Sequence, residues 1–151
     1  MPAMKTSKFE LVYGYKPEWL EKTLVVFNKT EMKRSEQYAE KVNRGFINSQ
    51  VVASVWIGDR LLAIGRMITD FEMYSGIFDV VVDPEFQKMG LGRQIIEALI
   101  KKAPETCIHL TSTFGNEKFY HRLGFRFHKS AMALYPERFG KTPYLDWDKI
   151  L

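Results

Sequence analysis

The stretch "DVVVDPEFQKMGLGRQIIEAL", residues 79–99, joins an apolar strand to a Pro-marked corner, a glycine-bearing turn and a helix. Gln87, Lys88, Met89, Gly90, Leu91 and Gly92 form that turn. The first amides of a helix have no partner inside it, and the aligned peptide dipoles place partial positive charge there. Glycine lets a ligand approach the backbone closely. Such a turn cradles an anion, a phosphate or pyrophosphate, with Lys88 and Arg93 adding charge at its rim. Two other phosphate motifs are excluded. A Walker loop needs Lys-Ser/Thr after its last glycine, where this chain has Arg93-Gln94, and a dinucleotide fingerprint needs a third glycine where it has Ile95.

Further residues carry chemistry of their own. Asp79 interrupts the apolar run "GIFDVVV", where an unpaired carboxylate is costly. Either it accepts a proton or binds a substrate ammonium, or it is structural, taking loop amides or pairing with Arg66. Asp70 and Glu72 lie in the loop "TDFEMYSG" and read chiefly as exposed loop acids. Tyr120, in "FYHRLGF", carries a phenol with an intrinsic pKa of ~10, protonated at neutral pH. His109 and His121 lack ligand-like neighbours, so no metal is expected. The lone Cys107 cannot form an internal disulfide, which points to a reducing compartment.

The elements that must position these residues follow from pattern. With 151 residues, 46% of them apolar and 26% charged, the chain fits a single domain over 1–151 with a continuous core. "FELVYGYK" reads as a strand. A helix runs from Pro17 to about Asn28, and a weaker one follows Ser35. "QVVASVWI" and "RLLAIGRMIT" form a hairpin about Gly58-Asp59. After the strand "GIFDVVV", the positions Leu91, Ile95, Ile96, Leu99 and Ile100 mark an amphipathic helix that ends before Pro104. "CIHLTST" is a strand, "NEKFYHRLG" a short helix closed by Gly124, and "FRFHKSAMALY" a last strand. This order predicts a mixed α/β sheet with one crossover helix.

Net charge is +4, but Lys and Arg are scattered, so nucleic acid is not expected as a partner and a small polyanion suffices. The start "MPAMKTSKFE" has no apolar targeting core, and no stretch approaches membrane-spanning length. A soluble, cytoplasmic protein with no membrane partner is the expectation.

"VVVDPEFQKMGLG" resembles the acetyl-CoA-binding segment of the GNAT acetyltransferases, and "FYHRLGF" at 119–125 resembles their second hallmark. The resemblance covers roughly residues 50–135 and implies a mostly antiparallel central sheet flanked by helices, with a splayed central strand pair. It implies acetyl-CoA as cosubstrate, with no metal. The backbone of Val80, Val81 and Val82 would lie along the pantetheine arm. Gln87, Lys88, Met89, Gly90, Leu91, Gly92 and Arg93 would hold the pyrophosphate. Tyr120 matches the family's usual general acid, Asp79 is a candidate base or substrate anchor, and Phe119, beside Tyr120 in the motif, is a candidate cofactor contact. The family often has Asn seven positions before that Tyr, contacting the cofactor; here the position is Thr113, with Asn116 closer, so the resemblance implies a cofactor contact made by the Thr113 hydroxyl, shifted to Asn116, or absent.

The string from Gly65 to Ile96 is similar to a subgroup that includes the plant serotonin-type N-acetyltransferases. That favours a small primary amine as acceptor, with Phe71, Glu72 and Tyr74 as candidate contacts. Acetylation of a protein amine and a non-catalytic CoA-binding module are the alternatives. The tail "YPERFGKTPYLDWDKIL" could lid the acceptor pocket, pack on a second subunit in a homodimer, or pack on its own domain; the last is the plainest expectation.

Overall fold

In a computed structural model, the structure describes residues 8–149. The chain divides into two compact units, Met1–Ser112 and Thr113–Leu151. The first carries a five-stranded sheet in the order β1-β2-β3-β4-β5. The strands are β1 (Glu10–Tyr13), β2 (Val51–Ile57), β3 (Arg60–Thr69), β4 (Tyr74–Val82) and β5 (Cys107–His109). The first four pair antiparallel, and β5 runs parallel to β4. A parallel pair requires a crossover, which α3 (Leu91–Lys102) supplies.

Two layers of helix cover the sheet. A 3₁₀ turn at Pro17–Trp19 leads into α1 (Leu20–Asn28), where Pro17 loses no intrahelical bond. A second turn at Glu36–Tyr38 leads into α2 (Ala39–Ile47). Val26 and Phe27 of α1 and Phe46 of α2 join Val52, Trp56, Leu61, Ile64 and Val81 in one apolar core. On the other face α3 buries Leu91, Ile95, Ile96, Ala98 and Leu99. Fully burying side chains of this size stabilises by about 1.5–3 kcal/mol each. Helix α3 comes close because β3 is bare at Gly65. A Cβ there would stand 2.7 Å from Ile95 Cγ2 and 3.0 Å from Val80 Cγ2. Covered on both faces, β2 is buried over Val51–Trp56 and has no polar alternation.

Strands β4 and β5 pair only at Tyr74–Cys107, Ser75–Ile108 and Gly76–His109. A chain of hydroxyls secures this end: Ser75 Oγ lies 2.8 Å from Thr69 Oγ1 and 2.7 Å from Thr106 Oγ1. Beyond Gly76 the two strands part, so among the described residues Ile77–Val82 has no strand partner on that edge.

The second unit holds α4 (Glu117–Arg122) and a 3₁₀ turn at Glu137–Phe139. Gly124, at φ +99°, follows α4 as expected of a helix-ending glycine. The segment "FRFHKSAMALY", expected as a strand, is irregular, and the strand expected over Cys107–Thr113 stops at His109. Alternation makes a strand only where a neighbouring ladder takes its amides, and no ladder forms at residues 125–135. Phe127, Met132 and Leu134 there stay 87%, 86% and 98% exposed. Phe114 and Tyr144 stack at 4.4 Å, and Trp147 Nε1 donates to the Thr142 carbonyl at 2.8 Å. Among the described residues no helix is long and apolar enough to cross a membrane.

Candidate active site

The pairing of β3 with β4 shifts register between Ile64 and Arg66: Arg66 faces Phe78 and Ile64 faces Val81, so Asp79 and Val80 together stand against Gly65. This is a β-bulge, and Asp79 takes φ +56° within it. Asp tolerates the left-handed region better than most residues with a side chain. Simple alternation would set Asp79 on the Gly65 face, toward α3. The bulge turns its carboxylate instead to two guanidinium groups. Arg66 Nε donates to Oδ2 at 2.8 Å, and Arg34 Nη2 donates to Oδ1 at 2.8 Å. Arg66 is itself seated by Ser49 Oγ at 3.2 Å and lies over the rings of Phe46 and Phe78. The pairing with Arg66 is therefore present, and Arg34 adds a second cation that its place beside Lys33 gave no reason to expect.

From the bulge, β4 runs to Asp83, which is buried. Its Oδ1 accepts the Glu85 amide at 3.1 Å, and its Oδ2 accepts Lys29 Nζ and Arg60 Nη2, each at 3.1 Å. Burial pushes the carboxyl up, but the Glu85 amide, Arg60 and Lys29 outweigh it and hold the pKa below the ordinary value. This clasp fixes the Pro84–Phe86 turn that feeds the loop. Asp before Pro is a recognisable turn-capping signal.

The loop then opens toward α3. Lys88 takes φ +65°, and Gly90 takes φ +80° as the helix N-cap. The helix's first bond runs from the Gln94 amide to the Gly90 carbonyl at 3.0 Å, so the amides of Leu91, Gly92 and Arg93 precede the intrahelical ladder. Gln87 and Met89 are exposed. Arg93 is turned along the helix to Glu97 at 2.7 Å. Val80 and Val82 are partly exposed beside the open edge, whereas the Val81 side chain is sealed in the α1 core.

Residues 14–125 match the family model described as the acetyltransferase (GNAT) family. The chain belongs to the GNAT acetyltransferase family. A GNAT-family acetyltransferase from Streptococcus pneumoniae superposes with a TM-score of 0.73 over 87% of this chain and 99% of that one, at 19% identity, a likeness of fold. Among curated relatives, serotonin N-acetyltransferase 2, chloroplastic, of Oryza sativa subsp. japonica is 29% identical over 126 residues, 75% of this chain and 60% of that protein. The histone acetyltransferase TAP1 of Glycine max is 36% identical over 69 residues, 44% of this chain and 30% of that protein. The match thus spans under a third of the length of several plant relatives.

The GNAT motif "FYHRLGF" lies in the second unit. Tyr120 packs edge-on to Phe119 at 5.0 Å and to Phe125 at 5.9 Å. Burial pushes its phenol pKa above the usual tyrosine value. Asn116 Nδ2 donates to Thr113 Oγ1 at 2.6 Å, so these two candidates form one polar pair. In the first unit, Asp70 Oδ1 accepts the amides of Glu72, Met73 and Tyr74 at 2.9, 2.8 and 3.0 Å, which makes it a loop cap. Those amides, Tyr74 first, lower its pKa. Phe71, at φ +61°, borders a shallow cavity of about 300 Å³ with Tyr13, Tyr15, Phe46 and Ser49. Glu72 and Tyr74 are exposed outside it. Among the described residues no cluster of His, Cys, Asp or Glu is arranged to hold a metal.

Proposed function

We propose that this chain transfers the acetyl group of acetyl-CoA to the primary amine of a small molecule by direct attack. The observation that carries the reading is the continuity of β4: an unpaired edge from Ile77 to Val82 leads through the Asp83 clasp into the amides of Gln87–Gly92. An extended amide-bearing arm adds to such an edge as a strand does, and a diphosphate meets helix N-terminal amides. Backbone groups of Val80 and Val82 hold the pantetheine, and Leu91, Gly92 and Arg93 donate to the diphosphate.

The bulge supplies what the chemistry needs next. It breaks the ladder at Asp79–Val80 and releases a backbone N–H to stabilise the oxyanion that forms when the amine adds to the thioester carbonyl. The C–S bond then breaks and the departing thiolate takes a proton, for which the resemblance to the family motif offers the Tyr120 phenol; burial raises its pKa and keeps it protonated across the physiological range. Asp79 is the anchor of the bulge in this scheme, because both of its oxygens already accept from guanidinium groups. The amine loses its proton to water. The acceptor assignment draws on the rice serotonin N-acetyltransferase, which matches along more of this chain than the soybean histone acetyltransferase does.

The test is thiol release from acetyl-CoA across arylalkylamines, polyamines, amino sugars, amino acids and a lysine peptide, with an amine-free control. Turnover on a small-amine class establishes the reading. Turnover on the lysine peptide alone replaces it with the protein-acetylating alternative. Absence of CoA binding overturns both.

A further inference from the structure

The cavity of about 300 Å³ bordered by Phe71 has no part in the scheme above. It lies where the end of β1, the end of α2 and the β3–β4 loop meet. The nine residues of β4, roughly 30 Å of strand, separate that loop from Asp83 and the turn before α3. Its walls are aromatic, formed by Tyr13, Tyr15, Phe46 and Phe71. Tyr15 and Phe46 stack with ring centres 5.2 Å apart. Both phenols are tied to the protein itself. Tyr13 Oη donates to the Ala98 carbonyl at 3.0 Å, and Tyr15 Oη donates to Asn43 Oδ1 at 2.7 Å. Rings held in this way need no ordering when a ligand enters.

Phe71 is the wall that stability does not account for. A bulky side chain at φ +61° is a backbone outlier that persists only where its surroundings over-determine it. The Phe71 amide donates to Thr69 Oγ1 at 2.9 Å, and Asp70 Oδ1 takes the next three amides. The ring placed by this strain is 52% exposed, so it adds little to the core. Lys102, at the end of α3, is the charged residue among those lining the cavity, and its Nζ lies 4.3 Å from the centre of the Tyr13 ring.

We infer that this cavity is a second ligand site, which takes a planar aromatic ring bearing a carboxylate. The ring walls offer stacking and edge contacts to a flat apolar body. The Lys102 ammonium offers the carboxylate a charge-assisted hydrogen bond, and it would repel a cationic ligand. Ligand pockets span roughly 300–1,000 Å³, so this one suits a single bicyclic ring and is too small for a nucleotide. An occupant would also touch the seat of Arg66. Phe46 and Ser49 both line the cavity; the Arg66 guanidinium lies 5.7 Å from the Phe46 ring centre and 3.2 Å from Ser49 Oγ.

The experiment titrates the full chain with 2-naphthoate and with its uncharged counterpart 2-naphthamide, followed by the NMR signals of the probes. Naphthoate should bind with a Kd of about 0.1 mM or below, about tenfold tighter than the amide. In K102M the naphthoate affinity should fall to that of the amide. In F71G, where glycine takes the positive φ without strain and the ring is gone, both probes should weaken about fivefold or more. Saturating acetyl-CoA should leave the naphthoate Kd within about twofold. A naphthoate Kd above about 1 mM overturns the inference, as does equal affinity for the two probes. So does a K102M protein that keeps the preference, or displacement of naphthoate by acetyl-CoA, which would put the probe in the cosubstrate site. Should F71G fail to fold, K102M alone decides, since Lys102 is exposed at a helix end. The site stands apart from the acetyltransferase reading: a chain that binds naphthoate but no CoA would overturn that reading and support this one.

Discussion

Arg66 and Asp79 form an ion pair across the bulge of β4, with Nε 2.8 Å from Oδ2 and both side chains 18% exposed. Register pairs Arg66 with Phe78, so the contact exists only because Asp79 takes φ +56° and turns back toward that face. The bulge and the ion pair sustain each other. A left-handed residue in a strand persists where its surroundings over-determine it, and two guanidinium groups on one carboxylate do so.

Asp79→Ala therefore leaves two cations without their carboxylate, Arg66 beside Phe46 and Phe78 and Arg34 beside Phe27. Breaking a fully buried pair costs about 3–5 kcal/mol; partial exposure of Arg34, Arg66 and Asp79 brings the expected loss to about 1–3 kcal/mol. Urea denaturation checks this. A loss below about 0.5 kcal/mol, the range of an ordinary surface change, would show that the bulge stands without its carboxylate.

Gly92→Asp should separate folding from cosubstrate binding. A carboxylate in the first turn of α3 complements the helix dipole, and losing a helical glycine helps too, so stability should hold or rise by about 1 kcal/mol. On the proposed reading the same charge would meet the diphosphate, and CoA affinity should fall about tenfold or more. Calorimetric titration and a thermal melt on one sample test both halves, and unchanged affinity would move the diphosphate elsewhere.

Asp83 ties acid stability to the clasp. Its folded pKa lies below the unfolded value of ~3.9, so its contribution is fully present above pH ~4 and is lost as pH falls through the folded pKa. Asp83→Asn should lower stability at pH 7 and flatten the acid limb of the stability curve below pH ~4. Denaturation midpoints between pH ~2 and 7 measure it, and parallel curves for the two proteins would refute the linkage.

Tyr120→Phe removes the phenol and keeps the ring contacts with Phe119 and Phe125. The expected result is a fall in kcat of about a hundredfold with CoA affinity within about twofold. Because burial raises the phenol pKa, any alkaline loss of rate from Tyr120 should come at higher pH than an ordinary tyrosine would give. Unaltered kcat in the Phe variant would take Tyr120 out of the proton path.

Helices α1 and α3, the hairpin at Gly58-Asp59 and the crossover were legible in the sequence, because each is written in local terms. Apolar spacing sets a helix face, Pro17 and Pro104 bound helices, and Gly90 occupies a left-handed cap that favours glycine. The glycine-bearing turn before α3, the candidate anion cradle, was legible for the same reason, since it depends on consecutive amides. "FRFHKSAMALY" shows the limit: its alternation is that of a strand, yet residues 125–135 are irregular. A helix bonds to itself, whereas a strand waits on a neighbour that its own residues cannot name.

By itself, then, the sequence determined the family, the turn proposed to receive an anion and the candidate phenol. Tertiary structure alone decided what Asp79 pairs with. Arg34 lies 45 positions away and Arg66 lies 13 away, and a slip of one residue in the β3–β4 ladder turns the carboxylate toward both. Strand side chains alternate with period two, so a single inserted residue exchanges faces, and that insertion is fixed by pairing between strands.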